Sequence, residues 1–338
     1  MVRKSLIAIA LLAVAAPLAA QEEYVWTSNR PDGHGPIGVM GTRTLDEGAI
    51  EFGYRFSQLN SRGVWFDNDS IPLDLTLEFY EVAPLSLTNQ NHNFSIAVGA
   101  TERLTFLASI DYSSRQREQL TQDLIFYVTE AQELGDLRIS GLYNFVNSGP
   151  YRAHFNIGAL IPTGSDNVVG ETPFSTPNTE ALPYDMRPGG GTFAFLPGVT
   201  ASIQNEFASV GFQLNSTLPL GTNSQSFSVG NRFEGSGWAS YLLNDQFAVS
   251  ARIHWQNWGG IQGADPDLDP ARDPGNDAFF LEGERVDLPL GINFVMPEDS
   301  PLAGHRISLE AIFPIHHEYT GAQLGMDWGV TAGWTVVF

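Results

Sequence analysis

The first side chains that could do chemistry together are Asp32 and His34, in the stretch "RPDGHGPIGVMGTRTL" (30–45). A carboxylate and an imidazole two residues apart can begin a metal site or a proton relay. The next histidine is His92, far along the chain, and one imidazole with one carboxylate is too few ligands. No metal or other cofactor is therefore expected. Glycines at 33, 35, 38 and 41 instead suit backbone that turns tightly and packs against other backbone. What that backbone packs against depends on the rest of the chain.

Residues 1–20 read as a secretory signal, with Arg3 and Lys4 ahead of an apolar run from Ser5 to Ala16. Its removal leaves 15 of the 17 basic residues, all arginine, against 38 acidic ones, a formal charge of −23. Such a charge excludes nucleic acid as a partner, because a phosphate backbone needs a basic surface. There is no cysteine, hence no disulfide framework and no thiolate metal site.

No stretch after residue 20 is apolar for long enough to span a bilayer as a helix. The recurring signal has period two. In "LGMDWGVTAGWTVVF", Leu324, Met326, Trp328, Val330, Ala332, Trp334, Val336 and Phe338 alternate with small or polar residues. That suits a strand with lipid on one face and a polar lumen on the other. The pattern predicts strands near 49–58, 92–100, 103–113, 134–146, 151–161, 193–204, 206–216, 231–242, 246–256, 283–295, 305–314 and 323–338. Short and long connections alternate, the long ones near 59–91, 114–133, 162–192, 217–230, 257–282 and 315–322. The expected fold is all-β: a transmembrane antiparallel barrel of about twelve strands, within ten to fourteen, with periplasmic turns and extracellular loops. Residues 21–48 precede it as a periplasmic segment or a plug in the lumen, and 49–338 form the barrel, ending in Phe338.

Strand phase assigns each charge a side. Arg55, Arg103, Arg138, Arg152, Arg252, Arg285 and Arg306 fall on the lumen face, with Asp111, Glu310 and Asp327 among the acids. Arginine–carboxylate struts bracing a small barrel are the plain explanation. An arginine-lined constriction favouring anions or aromatic carboxylates is the functional one. In the plug, Asp32, His34 and Pro36 shape the turn, and Ile37, Val39 and Met40 supply apolar contacts. The loop "GADPDLDPARDPGNDAFFLEGE" (263–284) has Asp265, Asp267 and Asp269 at alternate positions. Pro270 and Asn276 stand where a calcium loop needs glycine and glutamate, so a solvated acidic loop is expected there.

Four segments, "DGHGPIGVMG" (32–41), "IPTGS" (161–165), "LPYDMRPGGGTFAFLPG" (182–198) and the tail "GHRISLEAIFPIHHEYTGAQLGMDWGVTAGW" (304–334), carry a resemblance in order and spacing. Together they resemble outer-membrane transporters associated with the meta-pathway of phenol degradation. The chain departs from that family's pattern at Thr42 and Arg43, where an Asp-His pair is expected. It also departs at Arg187 and Gly189, where glutamine and serine are expected. The resemblance implies an outer-membrane barrel passing small, aromatic compounds and brings no catalytic residue with it.

The function these readings favour is a channel for small organic solutes, aromatic or carboxylated, in the bacterial outer membrane. Its other partners would be outer-membrane lipid, lipopolysaccharide and, through the C-terminal strand, the barrel assembly machinery, with a monomer preferred. A structural or adhesive anchor is the alternative. A barrel lipid hydrolase places serine two residues after its histidine. Here the residues so placed are Pro36, Phe94, Asn156, Gln256, Ile307, Glu318 and Tyr319, so no enzyme is expected.

Overall fold

Alternating side chains give each strand one apolar and one polar face, and a closed sheet lets both be satisfied without a free edge. The computed structural model describes residues 24–338, so the expected signal peptide, 1–20, lies outside the described residues. The barrel strands are β1 (Ile50–Asp67), β2 (Val82–Thr101), β3 (Leu104–Thr121), β4 in two pieces (Phe126–Leu134 and Leu137–Ser148) and β5 (Tyr151–Ile161). They continue with β6 (Phe193–Gln204), β7 (Ala208–Leu220), β8 (Arg232–Leu242), β9 (Phe247–Trp258) and β10 (Gly283–Val295). Each pairs antiparallel with its neighbour in sequence.

The last extended segment, His305–Val337, closes the ring by pairing antiparallel with both β10 and β1. It is two strands. Residues up to Tyr319 pair with β10, residues from Gln323 pair with β1 (with Tyr319 at the turn also opposite Asp67), and the Val337 N–H donates to the Gly304 carbonyl at 3.3 Å. The segment thus doubles back into a hairpin, β11 (305–319) and β12 (323–337). Twelve strands result, and only an even number can close an all-antiparallel ring.

The faces are reversed relative to a soluble protein. Along β3, Phe106 and Tyr112 are exposed while Thr105, Ser109, Ser113 and Arg117 are buried. Phe155 and Ile157 on β5, Phe212 and Leu214 on β7, and Ile307 and Leu309 on β11 also stand outward. At the short-turn end, Tyr151, Phe207, Tyr241 and Phe338 are exposed, an aromatic girdle at the periplasmic interface. This is the architecture of a bacterial outer-membrane protein.

Three connections expected to be long are wholly or largely strand instead, among them 315–322, which lies inside the extended segment of the closing hairpin. Residues 59–67 and 82–91 extend β1 and β2, and 114–121 and 126–133 extend β3 and β4. The outward faces there carry Gln58, Asn60, Thr88, Gln90, Gln116 and Glu118, which share phase with the lipid-facing Phe52, Phe94 and Phe106. Above the membrane both faces meet water, so the alternation disappears while the ladder continues.

Candidate functional site

Residues 24–48 run inside the short-turn end of the barrel and bond to its wall on many sides. Asp32, fully buried, takes both arms of Arg30 at 2.9 and 2.7 Å, and its carbonyl accepts from Ser209 on β7. Arg306 on β11 donates to the carbonyls of Pro31 (2.7 Å) and Arg30 (2.8 Å). The Met40 carbonyl accepts from Gln213 on β7, the Gly41 carbonyl bonds His154 on β5, and Thr44 accepts from Asn144 on β4. The Leu45 N–H donates to Thr105 on β3, and Arg43 pairs with Glu51 on β1. Ile37 packs against Gly333 of β12, and Val39 and Pro36 are buried together in a tight turn. His34 stands half-buried beside them and makes no hydrogen bond among the described residues.

The centre of this contact is Gly38. Its N–H donates to Glu310 Oε2 at 2.7 Å, and Glu310 is in turn clasped by Arg252 through two hydrogen bonds of 3.2 Å. A Cβ at position 38 would overlap both the guanidinium and the carboxylate, neither of which can retreat into a packed wall. Gly38→Ala is therefore expected to unseat the segment without unfolding the barrel. Limited proteolysis of the refolded protein would read this as faster cleavage within 24–48, and unchanged cleavage would contradict it.

Two of the lumen arginines are braced by carboxylates. Besides the Arg252–Glu310 pair, Arg285 pairs with Asp287 at 3.0 Å. Asp111 accepts from Asn93. Arg55, Arg138 and Arg306 stand on the wall in no ion pair among the described residues. Three of the expected lumen residues lie elsewhere. Arg103 is exposed on the turn between β2 and β3, because the ladder begins only at Leu104. Arg152 sits at the periplasmic rim, where it donates to the carbonyls of Gly149 and Tyr151 and lies over the Trp26 ring. Asp327 is exposed on the outer side of the wall, since a register shift between Asn60 and Ser61 of β1 interrupts the alternation at that point of β12. It lines a cleft of about 600 Å³ with Asn60, Thr88, Glu118 and Trp328, where β1 and β2 part above the Arg62–Ser86 pair.

The opposite end is roofed. Loop 259–282 leaves β9 and reaches β2 and β3, halfway round a twelve-strand ring. There the Arg272 carbonyl accepts from Val82 N–H at 2.8 Å and Asp273 pairs with Arg117 at 2.6 Å. Loop 162–192 crosses to the same wall, where Arg115 donates to the carbonyls of Asp185 and Arg187, both at 2.8 Å. Asp136, at the break in β4, holds both ends of that loop by accepting from the N–H groups of Gly164 and Gly190. The loops interlock through Arg187–Asp265 (2.7 Å) and through a cluster of Tyr184, Phe227, Leu268 and Ala278. Burial pushes the Tyr184 phenol above its ordinary range, and its oxygen accepts from Asp265 N–H. Burial likewise raises the Asp185 carboxyl, opposed by the charge of Arg117.

The acidic loop is thus not simply solvated: Asp265 and Asp273 are almost fully buried as ion-pair partners. No cluster of residues able to hold a metal occurs among the described residues. Arg115, Arg117 and this lid escaped the sequence reading because residues 114–133 show no alternation. The acid-rich loop, with arginines on the strands opposite, was the available signal.

No family model and no curated protein matches the chain. Among solved structures, an outer membrane channel from Pseudomonas putida F1 is similar over 89% of this chain and 99% of its own, at 11% identity and a TM-score of 0.59. The Ralstonia pickettii toluene transporter TbuX aligns over 94% of this chain and 99% of its own, at 11% identity, with a TM-score of 0.45. The transport unit of the Escherichia coli autotransporter AIDA-I aligns over 88% of this chain and 91% of its own, at 7% identity, with a TM-score of 0.48. The first of these shows the fold: a closed outer-membrane barrel.

Proposed function

We propose that this protein is an outer-membrane channel for small organic solutes, aromatic or carboxylated, closed at the periplasmic end by residues 24–48. The observation that carries this is the way the segment is held. It docks in the lumen through hydrogen bonds to polar wall residues rather than through a dry core, and water or solute groups can replace such bonds. A barrel serving only as an anchor has no need of a removable interior. The P. putida protein of similar fold is itself a channel, which supports the same reading.

The segments that carry the resemblance to transporters of the phenol meta-pathway support this reading by their positions. The four segments fall on the plug, on both ends of loop 162–192, and on the closing hairpin. The departure at Arg187 supplies the partner of Asp265, and the departure at Arg43 supplies the partner of Glu51.

Solute charge preference would come from the unpaired wall arginines. Replacing Arg55 and Arg138 together by Gln is expected to lower anion-over-cation permeability about threefold, read from reversal potentials in a salt gradient across a planar bilayer. Arg103→Ala is expected to leave selectivity unchanged, being on a turn outside the lumen. An equal effect of both changes would discard the lumen assignment.

A further inference from the structure

The lid's hold on the wall converges on Arg117, which is 1% exposed. Its two terminal nitrogens meet the two oxygens of Asp273 at 2.6 and 2.7 Å, the forked geometry a guanidinium makes with any carboxylate. Asp273 arrives from the far side of the mouth, with Oδ1 also accepting from Gly275 N–H, so the loop presents a preformed carboxylate. Arg115, two residues away on the same strand face, is in no ion pair among the described residues. It donates only to carbonyls, and its Nε has no partner. Asp185 lies 3.2 Å from Arg117 Nε with its Oδ1 unpartnered. Two guanidiniums thus face two carboxylates, each carried by a loop that crosses the mouth. Beside Asp273 is a void of about 20 Å³, room for a water and not for a solute.

We infer that Arg117, with Arg115, is a carboxylate-recognition site that the lid's own Asp273 fills in the closed state, and that a monocarboxylate solute releases the lid by taking its place. Without Asp273, Arg115 and Arg117 on the wall face Asp185 of loop 162–192 alone, one positive charge in excess, which a monocarboxylate matches. One carboxylate replaces another, so at no point does the buried guanidinium stand unpaired, the state that would be costly. A neutral analogue has no such exchange to offer. The inference rests on the channel reading only in that a solute must come to the lid.

The chain contains no cysteine, so Ala278→Cys, buried in the lid cluster, gives one labelling site. In this background, folded barrels reconstituted in detergent are treated with a maleimide alone, with benzoate, or with benzyl alcohol. Labelling is expected to rise about fivefold with benzoate and not with benzyl alcohol, since labelling follows the open fraction of a local opening. Adding Asp273→Asn should give the fast rate without solute and abolish the benzoate response. Arg117→Gln, checked for folding by heat-modifiable migration, should do the same. Slow labelling in Asp273→Asn, or equal responses to the two solutes, overturns the inference. Labelling needs no current, so the two readings can fail separately. A lid that obeys benzoate on a barrel that never conducts would sink the channel, and a conducting barrel whose lid ignores benzoate would sink the latch.

Discussion

A chain lacking residues 24–45 is expected to conduct about tenfold more current in a planar bilayer than the whole chain, because a segment tied to opposite walls of the lumen is removed. The segment is bonded to β1, β3, β4, β5, β6, β7 and β11, so it is anchored on opposite walls of the lumen. The barrel should survive the deletion. Its ladder closes through β1 and β12 independently, with Ile50 and Phe338 exchanging both backbone hydrogen bonds at 3.0 and 2.9 Å. The lid then remains as the second barrier, so openings should be brief, and adding Asp273→Asn should lengthen them. A folded deletion variant as silent as the whole chain would refute the gating role and leave the anchor reading.

The second large effect concerns the pair beneath Gly38. Arg252→Ala is expected to destabilise the barrel by about 3–5 kcal/mol, because Glu310 would be left buried with a backbone N–H as its sole partner. The double change Arg252→Met with Glu310→Leu should recover most of that loss, since apolar residues of similar volume avoid the desolvation of both charges. The double variant should nevertheless release the plug, because Gly38 N–H then loses its acceptor, a loss of about 1–3 kcal/mol. Urea titration of the refolded proteins, followed by heat-modifiable migration, would give the stabilities, and bilayer current would report the plug. If the single change were as mild as the double, the pair would be no strut.

Much of the architecture was legible in particular residues. β5, β6 and β10 occupy the ranges their alternation predicts, because in the membrane one face must be apolar and the other polar. β8 also forms where two glycines weaken the pattern, and Trp238 turns inward from it to pack against Gly35 of the plug. Where strands rise above the bilayer, residues 59–67 and 114–121 lose the signal, since water wets both faces.

Charge placement was legible only in part. Alternation assigned Arg252, Glu310 and Arg306 to the lumen face; in the structure Glu310 and Arg306 bond residues 30–38 and Arg252 clasps Glu310. It misplaced Arg103 at a strand end and Asp327 at a register shift, because period two carries no record of where a ladder starts or bulges.

What the amino-acid sequence determines by itself is the barrel, since backbone hydrogen bonding in lipid allows alternating strands no structure other than a closed sheet. What only the tertiary structure decides is which distant polar groups meet. Arg117 and Asp273 lie 156 positions apart and Gly38 and Glu310 lie 272 apart, and nothing local couples them. They meet because the ring brings opposite walls within reach of one loop and one threaded segment. Contacts of that kind follow from closure, not from spacing.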